Sequence, residues 1–101
     1  MLLGEVQRRQ GRLREAEVIF LKELEEAENT SGLDHPDTLT AVNNLARVLR
    51  DQGRYEESEV MNRRALEGYE KRLGSDHPNT LMAVNNLALV IWSQGRYQES
   101  E

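Results

Sequence analysis

No cysteine occurs among the 101 residues, which removes disulfides, thiolate nucleophiles and thiolate metal sites together and fits a reducing compartment. Two prolines, one Trp, three Tyr and one Phe are all the ring-bearing breakers and aromatics there are apart from His, and β-branching is sparse. Strands, which draw on aromatic and β-branched residues, are therefore not expected. The chain also lacks an apolar run of the roughly 18 residues that a membrane span requires, and residues 1–10 carry neither the apolar core nor the cleavage site of a signal peptide. A soluble cytoplasmic protein is expected. A basic excess is missing too: 13 Lys and Arg against 18 Asp and Glu give a net charge of −5. That balance argues against a general affinity for nucleic acid, which needs a basic footprint, so the expected partners are proteins.

What is present belongs to helices. Ala, Glu, Lys, Leu and Arg make up 48 of the 101 residues, the composition of a long-helix protein. Leu, Ile, Val and Phe supply 24 residues, more than the fifth of a chain below which disorder is the default. The length suits one domain or less. An all-α domain with a modest core follows.

The chain repeats itself every 42 residues: Gln10-Gly11-Arg12 recurs as Gln52-Gly53-Arg54-Tyr55 and as Gln94-Gly95-Arg96-Tyr97. Between residues 32–59 and 74–101, 20 of 28 positions are identical. Residues 1–31 match 43–73 more loosely. The expected organisation is a partial, diverged unit at 1–31, a full unit at 32–73 and a truncated unit at 74–101. Within the full unit Leu39, Val42, Leu45, Ala46 and Leu49 form one apolar stripe at helical spacing. Asp34 or His35 can cap this helix A, with Pro36 in its first turn and Gly53 ending it near residue 51. Helix B is expected over 55–72, with Val60, Ala65, Leu66, Tyr69 and Leu73 facing inward. Applied along the chain, the period predicts an A tail (1–10), B (13–30), A (36–51), B (55–72), A (78–93) and the first turn of another B. Helix pairs of this kind bury their faces only by stacking into a solenoid.

Helix-turn-helix units with small residues where the two helices meet resemble tetratricopeptide repeats. The 42-residue length is similar to the kinesin light chain type. Its marks here are Leu73-Gly74-Ser75-Asp76-His77-Pro78-Asn79-Thr80 before helix A, Asn43-Asn44-Leu45-Ala46 and Asn85-Asn86-Leu87-Ala88 inside it, and Gln52-Gly53-Arg54-Tyr55-Glu56-Glu57-Ser58-Glu59 opening helix B. The resemblance covers essentially the whole chain. It implies a right-handed superhelical solenoid of antiparallel helix pairs and a protein-binding role. Departures exist: Asn62 stands where the first unit has Phe20, the Asn62-Arg63-Arg64 stretch is unusually polar, and the motor-binding heptads of kinesin light chains are absent. Similar repeats also form C-terminal arrays in NTPase-type signalling proteins. A structural or regulatory segment with an empty groove is therefore the alternative function.

No spacing suggests a catalytic triad or a phosphate-binding loop, and the glycines follow the repeat instead. Neither an enzyme nor a cofactor is expected. His35 and His77, each beside an Asp, lie one repeat apart and too far from each other for one metal ion; they are read as organising the starts of the A helices. In the family that is resembled, the helix-A face beside the buried stripe lines a concave, peptide-holding groove. Here that face carries Asn43, Arg47 and Arg50, then Asn85, Leu89 and Trp92 one repeat on, with Glu5, Arg8 and Arg9 before. Amide, guanidinium and indole groups suit an extended acidic peptide bearing a large apolar residue. For Asn43 and Asn85 a second role stays open, a hydrogen bond between adjacent A helices. The lysines of a chaperone-binding carboxylate clamp are replaced by Asn43 and Asn85, which disfavours chaperone docking. Finally, Leu2, Leu3, Val90, Ile91 and Trp92 are expected to be exposed at the ends and to drive weak self-association.

Overall fold

The computed structural model describes residues 2–100, with side-chain surroundings for 11–95. Four helices follow one another: α1 (Leu2–Ser31), α2 (Pro36–Asp51), α3 (Tyr55–Leu73) and α4 (Pro78–Ser100). Each packs on the next, and α2 also touches α4, in a body of 45 × 30 × 19 Å. This is the all-α solenoid of helix pairs, with α1 and α3 in the B role and α2 and α4 in the A role.

Both described A helices start alike. Gly32 and Gly74 leave the preceding helix at positive φ, 94° and 91°, and their carbonyls accept 2.7 Å bonds from the hydroxyls of Thr38 and Thr80, which are almost fully buried. His35, not Asp34, is the cap of α2: its Nδ1 accepts from the Asp37 amide at 3.1 Å, and Pro36 fills the first turn, where no amide partner is needed. His77 does the same for Asn79 at 3.1 Å. Thus the Gly-x-Asp-His-Pro-x-Thr motif is a single capping unit whose last residue ties it to its first.

The stripe of α2 is buried as expected: Leu39, Val42 and Ala46 are inaccessible and Leu45 and Leu49 nearly so. From α3 it meets Ala65 and Tyr69, both fully buried. Gly68 lies where a Cβ would stand 2.5 Å from Leu39 Cδ1, so a glycine here is what lets the two helices close together. Ser58 donates a 2.6 Å bond to the Ala46 carbonyl in the same contact. Leu24 of α1 completes the core from the other side.

Three expectations change. Val60 does not face inward; it is 65% exposed, and Ser58 and Asn62 take the buried positions. Val90 is buried at 1% exposure, whereas Ile91 and Trp92 are exposed; Leu2 and Leu3 lie outside the described side chains. The turns expected at Gly11 and Gly95 do not form, because α1 and α4 run through them. Only Gly53 of the three equivalent glycines has positive φ, 81°. There the Arg54 amide reaches back to the Leu49 carbonyl at 2.9 Å, closing a glycine-ended helix terminus, and α3 folds back onto α2. Reversing the chain costs helical hydrogen bonds, and a returning helix must repay them by burying a face. At Gly11 and Gly95 the chain keeps the local default, continued helix.

Candidate functional site

Helices α2 and α4 touch each other, and the repeat gives them equivalent residues along the face beside the buried stripe. Asn43 is not open on it. The side chain is 2% exposed, and its Oδ1 accepts a 2.8 Å bond from Asn86 Nδ2 of α4. The two Asn-Asn motifs therefore make a brace between adjacent A helices, the first Asn of one unit with the second Asn of the next. Asn86 was the partner that sequence reasoning passed over; its signal was the doublet itself, which supplies one amide to each side of the helix.

Arg47 is exposed and makes no ion pair among the described residues. Arg50 is partly covered and its Nη2 lies 3.4 Å from Asp51 Oδ1. On α4, Asn85 is exposed, Leu89 is 49% exposed and Trp92 59%. Arg8 and Arg9, with Glu5, lie outside the described side chains. Two further residues join this face. Thr40 and Met82, the latter 40% exposed, stand two helical turns before Arg47 and Leu89 and so project to the same side. Thr40 is held there by bonds to the Pro36 carbonyl at 2.9 Å and the Tyr69 hydroxyl at 3.0 Å. The spacing of seven, from Arg47 to Thr40 and from Leu89 to Met82, was the signal. The face that results is cationic on α2 and apolar on α4.

Several acidic residues of the B helices are neutralised by neighbouring arginines. Arg54 Nη1 meets both oxygens of Glu17 at 2.9 Å and its other edge grips Glu57. Gln52 donates to Glu17 at 3.0 Å. That amide first, and the Arg54 guanidinium next, hold the Glu17 carboxyl below its ordinary range. The polar stretch on α3 is accounted for similarly: Arg64 reaches Glu28 of α1 at 2.8 Å and Arg63 pairs with Glu59 at 2.8 Å. Among the described residues no cluster of three metal-ligating side chains occurs, and both His Nδ1 atoms are engaged in helix caps. Among the same residues no helix is long and apolar enough to cross a membrane.

Stacked antiparallel helix pairs with capped A helices, a braced inner seam and a polar-apolar inner face define a helical-repeat protein of the interaction type. The family model for the tetratricopeptide repeat matches residues 1–71 and again 38–101, so the chain belongs to the tetratricopeptide repeat family. Members of this family generally serve as protein-protein interaction modules, and the fold is non-catalytic. No curated protein matches the chain.

Proposed function

We propose that the α2–α4 face binds an extended, acidic segment of a protein partner that also carries a large apolar side chain. The observation that carries this reading is Arg47, exposed and without an acidic partner among the described residues, one repeat away from the exposed Leu89. A carboxylate meeting Arg47 gains a charge-assisted hydrogen bond. The next apolar residue of the peptide can lie on Met82, Leu89 and Trp92. Asn43 supports the site through its brace to Asn86 rather than by touching the ligand, while the exposed Asn85 amide is placed to pair with peptide backbone. Because the face is open to water, salt weakens each ionic contact, and the affinity is modest. The kinesin light chain-like character of the repeats belongs to this proposal.

Fluorescence anisotropy with a library of labelled acidic and basic peptides tests it. Acidic peptides with an aromatic or leucine residue should bind, and replacing Arg47 and Arg50 together should weaken them by more than about tenfold. Basic binders, or binders that respond to α3 substitutions but not to Arg47, Leu89 or Trp92, would move the function to the scaffold-only alternative.

A further inference from the structure

The two described A helices are capped by the same bond in different surroundings. His35 Nδ1 accepts from the Asp37 amide and His77 Nδ1 from the Asn79 amide, each at 3.1 Å. A ring nitrogen that accepts carries no proton, so each ring caps only as the neutral imidazole with its proton on Nε2. An imidazolium has two N–H donors and no acceptor, and it adds positive charge where the helix dipole is already positive. With two His and no Cys in the chain, these rings are the only side chains whose ordinary range lies between pH 5 and 8. The tie behind each cap does not titrate: Thr38 and Thr80 hold the Gly32 and Gly74 carbonyls at 2.7 Å.

Around His35 carboxylates gather. Asp37 Oδ2 lies 3.7 Å from its Nδ1, and Asp37 shares a cleft with Glu23 and Glu26 of α1. One repeat on, these three positions are Asn79, Ala65 and Gly68, none of them acidic. Among the described residues no carboxylate comes within 4 Å of the His77 ring nitrogens. Other charges recur and cancel from the comparison: Asp34 and Asp76 precede the two rings, and Glu25 and Glu28 of α1 match Glu67 and Glu70 of α3. Cations widen the difference. Lys71 and Arg72 close α3 just before the His77 turn, where α1 has Asn29 and Thr30. Arg64, which reaches the His35 turn from α3, is already paired with Glu28. Residues 78–95 of α4, which α2 touches, hold no charge.

We propose that lowering the pH through the imidazole range releases the first turn of α4 and spares that of α2, so that the two caps form a one-sided, pH-sensitive joint. At α2 an imidazolium turns its Nδ1–H to the Asp37 carboxylate, and an ion pair takes the place of the cap. That acid in the first turn also offsets the ring's charge against the dipole. At α4 the first turn holds no acidic residue. There the Asn79 amide loses its acceptor and nothing replaces it. The neutral ring holds the turn, so the turn is closed above the imidazole range and opens as pH falls through it. Losing the cap and gaining an adverse charge shifts the opening equilibrium by about fivefold or more. Opening stays local, because Thr80 remains tied to Gly74 and Ala83, Leu87 and Val90 remain packed. Met82 follows the opened turn directly, so acid also weakens the proposed peptide face; that consequence rests on peptide binding, and the joint itself does not.

Hydrogen exchange at two matched amides of the full chain tests the joint. Leu39 and Leu81 each donate a 3.0 Å bond to the carbonyl of the capping His, one turn into the helix. Between about pH 7.5 and pH 5 the protection of Leu81, taken relative to an unstructured amide at the same pH, should fall about fivefold, and that of Leu39 by less than about twofold. The asymmetry should follow the carboxylate: Asn79→Asp should let Leu81 keep its protection, and Asp37→Asn should make Leu39 lose it. His77→Asn supplies a cap whose acceptor does not titrate, and it should abolish the Leu81 response while circular dichroism stays helical. Three results would each overturn the proposal: Leu81 protection that is flat with pH, a fall that persists in His77→Asn, or equal falls at Leu39 and Leu81 that ignore both carboxylate swaps. Exchange that keeps the asymmetry in a chain that binds no peptide at any pH supports the joint and counts against the peptide face alone.

Discussion

Two glycines do opposite work at the residue scale. Gly68, inside α3, is a contact residue: its missing Cβ is the space that Leu39 fills. Gly53 was read as a left-handed terminus and is one, with φ at 81° and open space around a built Cβ. Its requirement is therefore backbone conformation alone. Replacing Gly53 with Val should cost on the order of 1–2 kcal/mol, since a β-branched residue is strained at positive φ. Urea denaturation followed by circular dichroism measures this as a lower midpoint with an unchanged slope. An unchanged midpoint would mean that the chain reverses by some other geometry.

The same Gln-Gly-Arg sequence gives a turn once and continuous helix twice among the elements. Gly11 and Gly95 lie inside α1 and α4, and a Cβ on either would meet nothing. Alanine there should raise stability by up to about 1 kcal/mol, the ordinary helix-propensity difference, whereas Gly53→Ala should lower it. Thermal unfolding of the three single variants reads the signs directly. If Gly11→Ala or Gly95→Ala destabilises as Gly53→Ala does, those helices turn at their glycines in solution. A second element-scale lesson comes from the helix starts: the Asp-His-Pro motif was legible as a cap, but the choice of His35 over Asp34 and the Thr38 bond back to Gly32 needed the folded chain, because both depend on where the preceding helix releases the backbone.

At the scale of the whole molecule, α1 and α3 have no sequence-adjacent link, and side chains from the α2–α3 turn and from α3 itself reach across to α1. Gln52 and Arg54 converge on Glu17, and Arg64 on Glu28. The Glu17 carboxyl, held below its ordinary value of 4.5 by Gln52 and then Arg54, stabilises the fold fully above that value and loses this contribution as pH falls through its lowered folded value. Glu17→Gln should therefore melt below the unmodified protein at neutral pH, and the gap should close as pH falls through the lowered folded-state range of the Glu17 carboxyl. A gap independent of pH would show that Glu17 contributes by packing rather than by charge.

The sequence by itself determined the period, the helices α2 and α3 nearly to the residue, the buried stripe from Leu39 to Leu49, and the family. These follow from local rules: apolar spacing, caps and a glycine that recurs with the repeat. Tertiary structure decided what local rules leave degenerate. Whether Gly11, Gly53 or Gly95 bends depends on whether a helix returns to bury a face, and Asn43 faces Asn86 instead of a peptide because a neighbouring A helix comes within hydrogen-bonding distance. Identical residues at Leu39 and Leu81, Val42 and Val84, and Ala46 and Ala88 are buried in one helix and exposed in the other. Burial is a property of the partner as much as of the side chain, and the partner is supplied by the fold.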